Sequence, residues 1–304
     1  MTAHFLGIDV GGTTIKTISV SADGKVLGTY REATSDRVED QIKKIGLKQC
    51  QLDPEIVGIG LLAPGLVDTS RGQLVYSANL GLRNLDWKAH LEESTGVPVR
   101  LDHDGRAAGL AEGILGAARG ADSFVVIPIG TGISASITLE GKAWPGHTFG
   151  SGELGHTPIF PGGDPCSCGQ NGCLEVYASA EGIRRQYRRR SGREATADQI
   201  EELLDTDLIA REVWDQATYA LALACTHLTL IVDPQRIIFA GGLSRAGDRL
   251  LVPVQEQLTG LLKWRQPPEL ALSTLDARAG QWGAAILGAQ AAGSTCYQNW
   301  QLNS

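Results

Sequence analysis

Residues 166–175 read CSCGQNGCLE, three thiols and a carboxylate within ten positions of a 304-residue chain that has six cysteines in all. Thiols this close can hold a metal, cycle as a dithiol or close a disulfide; the other three, Cys50, Cys225 and Cys296, stand singly. His156 lies ten residues before Cys166, in GSGELGH, and supplies the fourth ligand that a closed, structural Zn2+ site requires. The spacing is C-x-C-x4-C in a loop rich in Gly and Pro, whereas a dithiol enzyme sets C-x-x-C at the start of a helix that follows a strand. His156, Cys166, Cys168 and Cys173 are therefore the expected zinc ligands.

A second chemistry is suggested by DVGGTT, Asp9 to Thr14, which follows a strand-like apolar run. Gly11 and Gly12 let backbone N–H groups turn toward a phosphate, and the hydroxyls of Thr13 and Thr14 add donors. Asp9 beside such a loop suits a hydrated Mg2+. Taken alone, the Gly-Gly pair is equally a tight hairpin turn, for there is neither a P-loop nor a G-x-G-x-x-G pattern. Thr131-Gly132 and Gly241-Gly242 hold equivalent places after FVVIPI and RIIFA, so three apolar strands end in glycine. Open α/β sheets bind ligands at those carboxyl ends.

Carboxylates complete the set. VPVRL leads into Asp102 and Asp104 and then a helix of small residues, and Asp102 is expected to cap that helix or to sit at the surface. Glu153 and His156, three apart among glycines, can face one pocket if the segment makes a helical turn.

The elements that must position these residues read as a β-meander over the first 31 residues, a helix at 35–49, and a buried strand at 56–62 ending at Ala63-Pro64-Gly65. Near residue 124 the plan restarts, with strand, Gly-Thr-Gly turn and strand used again. The fold class is α/β, in two domains of 1–117 and 118–304 with the boundary in GAARGAD. The last helix-like stretch, 280–293, is rich in small residues suited to close packing, and its pattern leaves open which domain it rests on. The active site is expected in the cleft between the domains.

Composition removes other classes. The net charge of −7 and pI near 5.4 argue against a nucleic-acid or anionic-membrane surface as a principal partner. The most apolar stretch, 217–232, is short for a bilayer span and contains Tyr219, Thr226, His227 and Thr229, which fits a buried helix better. The start, MTAHFLGIDVGG, lacks the basic and apolar regions of a secretory signal, so a cytoplasmic location is expected. The interrupted basic run at 184–193, flanked by Glu181 and Glu194, reads as a solvated helix face.

With DVGGTT, APGLVD, HDGRAAGLAEG, IGTGIS, GELGH, CSCGQNGCLE and IIFAGGLS in this order, nearly the whole chain resembles the ROK family of bacterial sugar kinases and repressors. The resemblance implies two ribonuclease-H-like domains of the actin/hexokinase superfamily that close over a hexose and ATP, and phosphoryl transfer to a sugar hydroxyl, the 6-OH by family habit. It implies Asp104 as the catalytic base, with Gly65, Asn79, Glu153, His156 and Glu175 at the sugar. Asp9, Gly11, Gly12, Thr13, Thr131, Gly132, Gly241 and Gly242 fall at the nucleotide and its Mg2+, and Thr14 stands where the family often has Lys. His103 stands where the family usually has an Asn that touches the sugar, which leaves the hexose open. Glucose is the default, and D-allose, N-acetylmannosamine and N-acetylglucosamine are alternatives, as is polyphosphate in place of ATP. A non-catalytic sugar sensor is the rival class. Family repressors carry an amino-terminal helix-turn-helix, and here the first strand begins by about residue 5. The implied partners are a small hexose and a second or further copies of the chain, as a homodimer or homotetramer, without nucleic acid or membrane.

Overall fold

The computed structural model describes residues 3–275 and 278–302. In the first half, strands β1 (His4–Val10), β2 (Thr14–Ser21) and β3 (Val26–Ala33) form an antiparallel meander. Helix α1 (Val38–Leu52) follows, then β4 (Ile56–Ala63), which pairs parallel with β1. A small antiparallel sheet comes next, β5 (Leu66–Asp68), β6 (Gln73–Ser77) and β7 (Leu82–Leu85). Helix α2 (Trp87–Thr95), β8 (Val99–His103) and α3 (Asp104–Leu115) complete this half, and the main sheet has the order β3-β2-β1-β4-β8.

The second half repeats that plan. Strands β9 (Phe124–Pro128), β10 (Ser136–Leu139) and β11 (Lys142–Ala143) open a sheet of order β11-β10-β9-β12-β13, built with β12 (Arg236–Ala240) and β13 (Glu269–Leu272). Its helices are α4 (Leu174–Ala178), α5 (Ala180–Ser191), α6 (Ala197–Glu202), α7 (Leu208–Val232) and α8 (Asp248–Leu261). Each sheet thus sets a three-stranded meander beside two parallel crossover strands. The apolar stretch at 217–232 lies within α7, whose Ala217, Leu221, Ala224 and Cys225 are buried in the core around β9 and β12. Among the described residues no helix is long and apolar enough to cross a membrane.

Two compact units result: 1–120 with 143–150 and 277–304, and 121–142 with 151–276. The segment 118–304 is therefore not one continuous body. Its final helix, α9 (Ala279–Ala291), packs on β1, β4 and α3 of the first unit.

The reason is steric. β1 and β4 are central strands; one face of the sheet, with Leu6, Ile8 and Val10, packs against Val38, Ile42 and Ile45 of α1. On the other face Gly58 and Gly60 lie so near α9 that a Cβ would come within 2.1 Å of the Gly288 carbonyl oxygen and 1.9 Å of that of Ala284. Glycine in a strand weakens it unless a backbone must approach closely, and here one does. The small residues of α9 and the glycines of β4 are one packing solution written in two distant segments.

Candidate active site and metal centre

In the first unit the candidate residues gather at the carboxyl ends of β1, β4 and β8. Asp9 is on β1 just before the Gly11-Gly12 turn, which Thr14 closes by accepting the Gly11 N–H through its carbonyl at 3.0 Å. A Cβ on Gly280, at the start of α9, would lie 3.1 Å from Asp9 Oδ2, and one on Gly12 would lie 3.5 Å from Asn79. Asn79 and Gly12 are therefore neighbours, while Gly65 follows β4 and abuts the Tyr76 carbonyl.

Asp104 is the first residue of α3. Its Oδ1 receives the Gly105 N–H at 2.6 Å and faces His103 Nε2 at 3.1 Å. His103 Nδ1 also accepts from the Gly105 N–H, at 3.1 Å, so the ring proton of the neutral imidazole belongs on Nε2. Among the described residues Oδ2 of Asp104 has no hydrogen-bond partner, and the side chain is 43% exposed. One oxygen is fixed and the other is presented.

The helix cap differs from expectation. His103, not Asp102, accepts the first-turn N–H. Asp102 Oδ1 instead takes the Nε–H of buried Arg106 at 2.7 Å, while Arg106 Nη2 donates to the Val67 carbonyl at 3.1 Å. A buried guanidinium needs a carboxylate more than a helix end needs a second acceptor. Arg106 escapes a reading by residue type, because Asp102 is still in β8 while Arg106 is in the first turn of α3.

Burial, and after it the charge of Asp104, pushes the Asp9 carboxyl up to about 6, and Lys16 opposes the shift. The folded chain thus holds a proton at Asp9 that the unfolded chain releases near pH 4, so this group's contribution to stability falls as pH rises from about 4 to about 6 and stays low above. Two units correspond to about 3 kcal/mol at most. The metal-free Asp9→Asn variant is expected to be more stable than the parent at pH 7, by about 1–3 kcal/mol, with that gain vanishing near pH 4; urea unfolding at the two pH values measures it. Equal stabilisation at both would remove the charge explanation. A buried carboxylate strained by a second one is also a donor set that fits Mg2+, with Asp9 as its ligand.

The second unit brings together the turn at 130–132, the paired glycines 241–242 and Glu175. β9 and β12 are adjacent parallel strands with Pro128 beside Ala240, so their glycine turns are neighbours. Glu175, on α4, accepts the Ile133 N–H at 3.0 Å, and a Cβ on Gly132 or Gly155 would lie 2.5 or 3.3 Å from its Oε2. Its carboxylate therefore sits between the Gly-Thr-Gly turn and GELGH. Glu153 precedes a single 3-10 turn, Leu154–His156, and its side chain makes no capping bond.

The four thiol and imidazole ligands converge in the same unit. The ligand atoms of His156, Cys166, Cys168 and Cys173 all lie within 4.8 Å of one another. His156 Nδ1 is 3.6 Å from Cys166 Sγ, and the Sγ atoms of Cys168 and Cys173 are 3.7 Å apart. A tetrahedron with metal–sulfur bonds of about 2.3 Å has sulfur–sulfur edges of about 3.8 Å, so the donor set and its spacing fit Zn2+. The loop is shaped for this by backbone bonds: Cys166 N–H to the Gln170 carbonyl at 2.8 Å, and Ile159 and Phe160 N–H to the Gly172 carbonyl at 2.8 and 3.1 Å. Nδ1 faces the thiols, which leaves Nε2 of His156 for another partner. Three arginines of the basic run on α5 meet acids, Arg184 on Glu181 and Glu194, Arg188 on Glu194 and Arg189 on Asp164.

The model of the ROK family matches residues 5–291. The glucokinase of Halalkalibacterium halodurans is 32% identical over 312 residues, covering 93% of this chain and 94% of its own. Among solved structures, the ROK hexokinase from Thermus thermophilus superposes with a TM-score of 0.80 at 30% identity, over 94% of this chain and 98% of that one. A ROK family glucokinase from Streptomyces griseus, in complex with glucose and AMPPNP, gives 0.78 at 27% identity, over 95% and 100%.

Proposed function

Because the chain belongs to the ROK family, we propose that it is an ATP-dependent hexose kinase, which transfers the γ-phosphoryl group of ATP to a sugar hydroxyl, the 6-OH. The observation that carries this reading is the Asp104 carboxylate at a strand end, with Oδ1 held by the Gly105 N–H beside His103 and Oδ2 left to accept a proton.

In the reaction an acceptor hydroxyl hydrogen-bonds to Asp104 Oδ2, which orients it for in-line attack. As the new O–P bond forms and the bond to the ADP oxygen breaks, the hydroxyl proton passes to Oδ2. The transition state is loose, so the proton moves late and positioning supplies most of the rate. The Gly12 N–H with the hydroxyls of Thr13 and Thr14 holds phosphate oxygens, while the Gly11 N–H shapes the turn by bonding the Thr14 carbonyl; Thr131, Gly132, Gly241 and Gly242 serve the rest of the nucleotide. Mg2+ bound at Asp9 would offset charge on the phosphates.

Gly65, Asn79, His103, Glu153, His156 and Glu175 are the proposed hexose contacts. With His156, Cys166, Cys168 and Cys173 holding Zn2+, the metal would keep the His156 proton on Nε2, so that His156 can donate to a sugar hydroxyl and couple the knuckle to the substrate. His103 Nδ1 takes the Gly105 N–H and Nε2 lies 3.1 Å from Asp104 Oδ1, so a sugar hydroxyl at this position meets a ring packed against the base.

The deciding measurement is ADP release from Mg-ATP by the purified protein against glucose, mannose, allose, fructose, N-acetylglucosamine and N-acetylmannosamine. Sugar-dependent release on at least one of them is expected, with glucose or allose foremost. Zinc-loaded protein silent across the panel would instead favour a sugar sensor.

A further inference from the structure

A cavity of about 450 Å³ on the first unit lies outside every residue assigned above and is lined by Lys16, Thr29, Tyr30, Arg31, Arg278 and Gln281. Its chemistry follows from strand register. Asp9 on β1 is paired with Lys16 on β2, and Lys16 with Arg31 on β3, so the three lie in one row across the sheet. Directly opposed residues of antiparallel strands project to the same face, about 5 Å apart. Thr29, two residues from Arg31, shares that face. It is the face that α9 covers at Gly7, where a Cβ would meet Ala285, and Arg278 precedes α9.

Two like charges directly opposed in a sheet are unfavourable, and a third cation, Arg278, is added to them. Among the described residues no carboxylate lies within ion-pair distance of Lys16, Arg31 or Arg278, and none of the three side chains makes a hydrogen bond. On α5, by contrast, Arg184, Arg188 and Arg189 each meet a carboxylate. Lys16 has Asp9 across the strand pair, which leaves Arg31 and Arg278 as two cations without an acidic partner on this wall.

We propose that this cavity binds a multiply charged phosphate anion, with the guanidinium forks of Arg31 and Arg278 on phosphate oxygens and Lys16 as a point charge between them and Asp9. Guanidinium groups match phosphate oxygens in pairs, and the Thr29 hydroxyl adds a neutral donor on the same wall. The row of charges is extended and open, which suits an inorganic polyphosphate or the phosphate end of a sugar phosphate; both present the same doubly ionised oxygens. The inference stands apart from the kinase reading, since neither Arg31 nor Arg278 belongs to the proposed catalytic or substrate residues.

The test is calorimetric titration of the full chain with inorganic tripolyphosphate and, separately, with glucose 6-phosphate, in saturating Mg-AMPPNP and excess Mg2+ so that the nucleotide position is filled. Tripolyphosphate is expected to bind, with affinity falling at least ten-fold in Arg31→Gln and in Arg278→Gln, further in the double variant, and steeply with salt. ATP-dependent turnover should persist in both single variants, and their unfolding midpoints should stay near the parent's. Glucose 6-phosphate binding with the same dependence on both arginines, and no tripolyphosphate binding, would identify the sugar phosphate as the occupant and keep the site. Binding of neither anion, or binding indifferent to both substitutions, overturns the proposal. If the protein shows no kinase activity at all, the titration still decides the site.

Discussion

Asp104→Asn should reduce turnover by about 10²- to 10⁴-fold, the usual worth of a positioned base, and leave hexose affinity within a few-fold of the parent. The geometry makes the substitution informative. Oδ1 of Asp104 takes the Gly105 N–H, with His103 Nε2 3.1 Å away. An asparagine keeps its carbonyl oxygen there, so its amide NH2 falls where Oδ2 was. A donor then meets the acceptor hydroxyl in place of an acceptor, while size and the N-terminal turn of α3 are unchanged. Steady-state kinetics should show the loss in kcat with little change in KM, the pattern of an interaction made in the transition state. A variant with full activity would end the general-base assignment.

Loss of one thiol should be the second large effect. Cys168→Ser is expected to reduce bound zinc from one per chain to below detection, and to weaken hexose binding at least ten-fold through His156. Structural zinc contributes some 10–16 kcal/mol in isolated peptides, but here Cys173, Leu174 and Tyr177 also join a core that includes Val125, Ile127, Leu221 and Phe239. The unit should therefore stay folded while the segment 156–173 opens. Metal analysis and hydrogen exchange separate these outcomes. Retention of zinc together with full sugar affinity would show that the four residues are not a ligand set.

Much of this was legible because the signals are local. The opening meander shows in alternation and in the Asp23-Gly24 turn; the second start shows because FVVIPIGTG repeats the strand-into-glycine form of FLGIDVGG. The zinc quartet is readable because ligand type and spacing constrain each other. What stayed hidden depends on partners far away in sequence. Asp102 looks like a cap until Arg106 is seen to be buried beneath it, and the small residues of α9 announce close packing without naming Gly58 and Gly60 as the surface they fit. Lys16 and Arg31 are fifteen positions apart and meet only through hairpin register.

The return of α9 to the first unit sets a timetable for synthesis. Residues 1–120 emerge early, yet the face of β1 and β4 that carries Gly58 and Gly60 stays uncovered until residue 291 has been made. At about 5–20 residues per second that interval lasts roughly 9 to 34 s. The second unit lacks only 143–150, which lies outside it, and all its own residues are made before α9 is, so it can finish folding first. The nascent chain thus matures from its middle outward, and a ribosome that stalls before α9 leaves the half bearing Asp9 and Asp104 open to chaperones and proteases.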